Sequence, residues 1–284
     1  MRNAMQLKAQ VRNLAKKSGA SAEVLLRNFV MERFLERLAV SDYRHNFILK
    51  GGVLVASMIG IDARTTKDVD VVIKGQSVSE SEVASIIKTI VNEPLADGVD
   101  FSYTGIEEIR EEADYPGFRV TVVAAFDTIR QVLKIDISTG DFATPKEIEY
   151  RFQLMFEDRN ISIMAYNPES VLAEKFETAI VRGTINTRMR DFYDMHVLST
   201  IQAFEEDVFV AALQKTAANR KTRNQIAKAA EVVSLIEKSP EMQELWNRYQ
   251  QRYSYAADVS WVDVIAALRV LAVLWSPTAS EGSN

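Results

Sequence analysis

The chain has 284 residues, enough for one large domain or two small ones, and is 47% hydrophobic and 26% charged, the balance of an ordinary globular protein. It has no cysteine and only two histidines, His45 and His196, which excludes disulfide frameworks, thiol nucleophiles and cysteine-built zinc sites and leaves the chemistry to carboxylates, Lys, Arg and hydroxyls. The net charge of −5, from 34 basic and 39 acidic residues, argues against a molecule that binds polyanions over its whole surface.

The first forty residues predict helices. Leu7, Val11 and Leu14, then Val24, Leu25, Val30, Phe34, Leu35 and Leu38, follow the 3.6 period, and Ser21 is placed to cap the second helix. Residues 1–17 carry charges at helical spacing without an apolar core segment, so no secretory signal is expected there. From Phe47 the pattern changes: a short apolar run, 47–49, meets Gly51-Gly52 and a helix-like segment, 53–59. A polar loop over 62–67 leads to a β-rich run at Val69, Val71, Val72 and Ile73, and 80–91 reads as a helix. Residues 120–126 and 129–137 alternate and are rich in β-branched residues, predicting two strands joined around Asp127. Past residue 160 the β signal fades. Asn167-Pro168 marks a helix start and Gly183 its stop, and helices are expected over 191–201, 205–218, 224–237, 241–252 and 260–275. The domains expected are an α/β part over 1–160 with a helical lead-in, a helical part over 161–276, and a flexible polar tail over 277–284. No apolar run approaches the ~18–20 residues of a membrane span, so a cytoplasmic protein with no membrane partner is expected.

The most informative stretch is Lys50-Gly51-Gly52 followed by Arg64-Thr65-Thr66-Lys67-Asp68-Val69-Asp70. Alternation on a strand sends Asp68 and Asp70 to one face and Val69 and Val71 to the other. Two such carboxylates can grip a hard cation such as Mg²⁺, and two glycines opening a helix present backbone N–H groups to phosphate. Arg64, Thr66 and Lys67 add donors beside the same anion. Alone, an Asp-x-Asp pair is equally a solvated strand edge. In Leu133-Lys134-Ile135-Asp136-Ile137, the same alternation puts Asp136 outward beside Lys134 and Ser138, where it would complete a three-carboxylate site able to hold two metals; the plain alternative is a half-exposed strand. In the helical half, Lys175 follows a buried stripe, and Asp191 and Asp194 share a helix face. They form either a Lys–Asp salt bridge between packed helices or a lysine held by carboxylates and aimed at a triphosphate.

Two stretches are basic and free of acid: Arg2, Lys8, Arg12, Lys16 and Lys17 within 1–22, and Lys215, Arg220, Lys221, Arg223 and Lys228 within 208–230. Each is either a solvated face or a set of contacts to a polyanion. Trp246, Trp261 and Trp275, with Met155, Met164 and His196, read as packing residues, and His45 lies in a polar loop without a partner pattern.

The ordered segments ILKGG, RTTKDVDVVI, LKIDISTGD, PESVLAEKFETAI and RMRDFYDMHVL, with the lead-in EVLLRNFVMERFLERL, resemble the AbiEii/AbiGii-type nucleotidyltransferase toxins, relatives of the MenT toxins. The likeness spans roughly residues 5 to 200. It implies an α+β fold: a polymerase-β-like nucleotidyltransferase domain, a small mixed sheet flanked by helices, followed by an α-helical C-terminal domain. It further implies that Gly51 and Gly52 open the first motif, that Asp68, Asp70 and Asp136 are the metal carboxylates, that Lys175 contacts the nucleotide and that Asp191 is the acid of the last motif. The reaction implied is in-line attack of an acceptor hydroxyl on the α-phosphate of an NTP, releasing pyrophosphate, with two Mg²⁺ ions and Asp136 nearest to help deprotonate that hydroxyl. The superfamily's usual Gly-Ser pair is Gly-Gly here, as in AbiEii-like members. The partners implied are an NTP, an RNA acceptor at the tRNA 3′ end and a cognate antitoxin, with no DNA; Arg220, Lys221 and Arg223 are candidate RNA contacts. Two other readings stand beside this one: a nucleotidyl- or phosphotransferase acting on a protein or small-molecule hydroxyl, and a non-catalytic nucleotide-binding or partner-binding protein.

Overall fold

The computed structural model describes residues 3–60, 66, 68–74, 78–110, 116–139, 143–200 and 204–275. The expected tail over 277–284 and most of the polar loop over 62–67 lie outside them. The chain divides into two compact units, one of Met1–Phe142 and Lys146–Tyr166, the other of Ala143–Pro145 and Asn167–Asn284.

The first unit opens with α1 (Ala4–Ser18) and α2 (Ala22–Val40). Asn3 and Ser21 cap them, each side chain accepting a first-turn backbone N–H. On α2 the outward polar face that a surface helix shows is missing: Glu32, Arg33, Glu36 and Arg37 are buried along with Phe29, Phe34 and Leu35. Its charges are therefore paired internally. Arg37 grips Asp97 with bonds of 2.7 and 3.0 Å and donates to the Val99 carbonyl at 2.6 Å. Arg33 donates to Glu157 at 2.8 Å and lies 2.9 Å from Glu36.

After α2 come β1 (Phe47–Lys50), α3 (Gly51–Ile59), β2 (Val69–Ile73), α4 (Glu80–Val91), β3 (Val99–Arg110), β4 (Pro116–Phe126), β5 (Ile129–Thr139), β6 (Ile148–Gln153) and β7 (Asn160–Ala165). The strands form one mixed sheet of order β3-β4-β5-β2-β1-β7-β6. β2 pairs antiparallel with β1 and parallel with β5, which puts the strands carrying the expected carboxylates side by side at the sheet's centre. The β4–β5 hairpin turns at Asp127, whose φ of 52° is a left-handed conformation that Asp tolerates.

Three strands depart from the expectations. β3, β6 and β7 carry no long β-branched run: β3 and β6 are the sheet's edges and are rich in Glu, Arg and other polar residues, as edges that must avoid pairing with strangers are. β7 lies past residue 160, where only helices were expected. It is short, and alternate Ile161, Ile163 and Ala165 bury one face while its end pairs in parallel with β1 at Leu49.

The second unit holds α5 (Pro168–Arg182), α6 (Met189–Thr200), α7 (Glu206–Asn219), α8 (Arg223–Ile226), α9 (Ala229–Lys238), α10 (Pro240–Arg252) and α11 (Trp261–Trp275). Asn167 caps α5 by accepting Ser170 N–H at 2.9 Å, Pro168 occupies the first helical position, and Gly183 ends the helix at φ 54°. The single helix expected over 224–237 is two, because the backbone leaves helical geometry at Lys228 (φ −100°, ψ 17°). Trp246 is fully buried and donates its indole N–H to the Val259 carbonyl at 3.0 Å; it packs with Tyr249 and Trp261.

Candidate active site

The alternation expected on both carboxylate strands is present around Asp70 and Asp136 but fails at Ser138, which was expected outward and is buried at the end of its strand. On β2, Val69 and Val71 are fully buried while Asp68, just before the strand, and Asp70 are half-buried; on β5, Leu133, Ile135 and Ile137 are buried and Asp136 is half-buried. Register then adds what neither strand shows alone. Lys50 is opposite Asp70, Asp70 opposite Asp136, Asp136 opposite Arg119 and Arg119 opposite Glu107. Five adjacent strands thus contribute one charged rung on a single face, in the order plus, minus, minus, plus, minus.

Two carboxylates on paired positions repel, and their neighbours compensate each one. Arg119 forks onto Asp136 through Nε and Nη2, each bond 2.7 Å. That bond, with the charges of Asp136, Asp68 and Glu107, holds the guanidinium above its already high ordinary pKa against partial burial. Asp70 Oδ2 accepts the backbone N–H of Gly52 at 3.2 Å.

The second contact explains the glycine pair. Gly51 has φ 65°, and a Cβ there would lie 2.1 Å from Asp70 Oδ2. No side chain fits between α3 and Asp70. The Gly-Gly pair therefore seats the start of α3 directly on the Asp70 carboxylate, and Lys50 precedes it with its Nζ 5.8 Å from the Tyr166 ring centre. Thr66, expected as a phosphate donor, is buried, with its hydroxyl 3.5 Å from the Asp68 carbonyl. Arg64 and Lys67 lie outside the described residues.

Among the described residues no group of three or more His, Asp or Glu side chains is gathered as a metal centre. Asp136 is turned to Arg119 instead. The donor set does suit Mg²⁺ bound by one or two carboxylates together with substrate phosphates, because Asp68 and Asp70 are hard oxygen ligands at the mouth of a strand. The Arg119 fork takes one lone pair on each Asp136 oxygen and leaves the others for a further partner. Arg119 is the residue that sequence reading missed: its role follows from β4–β5 register, and its local sequence carries no motif.

In the second unit, α5 and α6 bring together the other predicted residues. Lys175 Nζ lies 2.5 Å from Asp191 Oδ1 and 2.9 Å from Asp194 Oδ2, and Arg188 Nε lies 2.9 Å from Asp191 Oδ2. Lys175, Asp191 and Asp194 are 12, 9 and 0% exposed, so the lysine is held by both carboxylates in a buried ion-pair cluster, which both readings of it share. The start of α6 is set by Asn186, fully buried, whose side chain accepts Arg188 N–H at 2.9 Å.

The candidate RNA contacts divide. Arg220 turns inward, 2.7 Å from Glu177 Oε2 and 3.1 Å from the Thr178 hydroxyl. Acids of α5 thus neutralise a stretch that is acid-free only along its own sequence. Lys221 and Arg223 are exposed.

Comparison with known proteins gives a family. The profile described as "Nucleotidyl transferase AbiEii toxin, Type IV TA system" matches residues 33–267. Among solved structures, a candidate nucleotidyltransferase from H. pylori is 16% identical, with a TM-score of 0.48 over 90% of this chain and 97% of that one. JHP933 from Helicobacter pylori is 16% identical, with a TM-score of 0.46 over 90% and 94%. No curated protein matches the chain.

Proposed function

The chain belongs to the nucleotidyl transferase AbiEii toxin family of type IV toxin–antitoxin systems, and from that premise we propose that it transfers an NMP to the 3′ end of an RNA, a tRNA above all, and so blocks translation. As a family member it is a nucleotidyltransferase that takes an NTP and has an antitoxin as its partner. The observation that carries the proposal is the charged rung: Asp70 and Asp136 on paired positions of β2 and β5, with the Gly51-Gly52 turn seated on Asp70.

In this reading Asp68 and Asp70 would hold Mg²⁺, with Asp136 as the third carboxylate. The metal supplies charge neutralisation of the phosphates when bound. The chain's own residues do the positioning. Gly51 and Gly52 let the phosphates approach the backbone at the start of α3, where the helix dipole favours anions. Lys50 flanks that turn, and Arg64, Thr66 and Lys67 are proposed as further phosphate donors. Arg119, beside Asp136, would offer its guanidinium to the departing pyrophosphate. Asp136 is the acceptor for the attacking hydroxyl's proton. Lys175, held by Asp191 and Asp194, is the proposed nucleotide-contacting lysine.

An RNA acceptor is supported by α1. Lys8, Arg12 and Lys16 are exposed, four residues apart on one face of a helix without a single acid. Of the second basic stretch, Lys221 and Arg223 remain candidates, while Arg220 serves α5.

The test is label transfer from α- and γ-labelled NTPs to total bacterial RNA before and after periodate oxidation of its 3′ ends. The proposal requires labelling from the α position only, in a tRNA-sized band that periodate abolishes. Labelling that survives periodate, or that comes from the γ position, would reject it in favour of another acceptor or of phosphotransfer.

A further inference from the structure

The first unit contains a cavity of about 790 Å³ walled by α1, α2, α3 and the β6–β7 turn, which shares Thr66 but none of the carboxylates with the proposed transfer site. Its size suits a small molecule. The lining is apolar over most of its extent, through residues such as Leu14, Met31, Val53 and Phe152. Two polar side chains of α2 face it, one turn apart: Asn28 and Glu32, 5 and 2% exposed. Among the described residues, Asn28 Oδ1 and Glu32 Oε2 are buried without a hydrogen-bond partner. Glu32 Oε1 accepts the Met155 backbone N–H at 2.8 Å, and the nearest cation to Oε2, Arg33 Nη2, stands off at 3.9 Å.

Asn28 Oδ1 is an acceptor, and Glu32 Oε2 is one once its carboxyl is ionised, so what completes the ionised pair is a donor. The charge around them chooses its kind. Glu157 and Asp158 of the β6–β7 turn also line the cavity, and among the described residues the lining contains no Lys, Arg or His. Arg33 is committed to Glu36 and Glu157, and Arg159 to the same two carboxylates. The residues of α1 and α3 that line the cavity carry no charge. Among the described residues Arg33 and Arg159 thus balance Glu36 and Glu157, which leaves Asp158 and, once ionised, Glu32 in excess. An anionic ligand is disfavoured by that excess, and a cation is drawn in.

We propose that this cavity is a binding site for an organic cation, an ammonium or guanidinium group on an apolar stem, anchored by Asn28 and Glu32. Without it, burial pushes the Glu32 carboxyl up to about 8, so the side chain is protonated near neutral pH. The bound cation replaces that proton, which passes to solvent. Binding therefore strengthens as pH rises, by up to about tenfold per unit between about pH 6 and 8.

The experiment is calorimetric titration of the full chain with phenethylamine, agmatine and an alanine hexapeptide bearing one arginine, with 2-phenylethanol as the neutral control. Saturable binding of at least one cation, proton release at pH 7 and no binding of the alcohol are expected. Small amines binding alone identify a free ligand, and the peptide binding alone identifies a basic side chain of a partner; either supports the site. Glu32→Gln should weaken binding about tenfold or more at pH 8. Should that variant fold poorly, the pH dependence of the unaltered protein is decisive by itself. No saturation by any cation up to about 10 mM, or affinity that does not change with pH, overturns the proposal. The readout is binding rather than transfer, so it is independent of the nucleotidyltransferase reading.

Discussion

Gly51 is the residue at which local geometry constrains the site most tightly. Its positive φ costs any other L-residue about 1–2 kcal/mol, and a Cβ would collide with the Asp70 carboxylate. Gly51→Ala should therefore reduce nucleotidyl transfer much more than folding. A circular-dichroism melt within a few degrees of the parent, with transfer lost, is the expected pair of results; unchanged transfer would separate the glycine turn from the chemistry. Glu32 offers a second residue-scale prediction. Its carboxyl titrates at about 8 when folded, against an ordinary value of 4.5, so between those limits the folded chain holds one more proton than the unfolded one. The stability it contributes is fully present below about pH 4.5 and is lost as pH rises through about 8, at about 1.4 kcal/mol per unit. Glu32→Gln should flatten that slope in urea denaturation at acidic and alkaline pH. An identical slope in both proteins would place the Glu32 proton elsewhere.

At the scale of elements, legibility followed the strength of local signals. β2 and β5 were readable because alternate valines, leucines and isoleucines bury one face while the aspartates emerge from the other. α5 was readable from its Asn-Pro start and Gly stop. β3, β6 and β7 were not, since two are polar edges and the third is short, and their strand character comes from pairing with a neighbour. The same limit hid Arg119. Sequence alternation says which residues share a face of one strand, and only register says that Arg119 meets Asp136. It also hid the neutralisation of Arg220, whose carboxylate partner is 43 residues away. The α5–α6 pair carries its own prediction. Lys175→Met leaves Asp191 and Asp194 buried without that cation, a loss of about 3–5 kcal/mol in chemical denaturation. If Lys175 also meets the triphosphate, the KM for NTP should rise in the fraction that stays folded. Lost stability with unchanged KM would confine Lys175 to holding the two helices together.

For the molecule as a whole, the net charge of −5 conceals an uneven distribution. The acid-free α1 presents Lys8, Arg12 and Lys16 as a stripe, while the cavity that its Leu14 helps to line carries Glu32, Glu157 and Asp158. Replacing the three by Gln should weaken RNA binding and reduce the slope of log affinity against log salt by about 0.7–0.9 for each phosphate that is no longer neutralised. A slope equal to the parent's would remove α1 from the RNA surface. Among the described residues no helix is long and apolar enough to cross a membrane. The central claim is that the charged rung on the sheet is where nucleotidyl transfer occurs, and one measurement reaches it most directly: Mg²⁺-dependent incorporation of each α-labelled NTP into bacterial RNA by the full chain and by Asp70→Asn. The account predicts labelling by the parent with one NTP, and a fall on the order of a hundredfold or more in a variant that melts like the parent. Equal labelling by Asp70→Asn would contradict it.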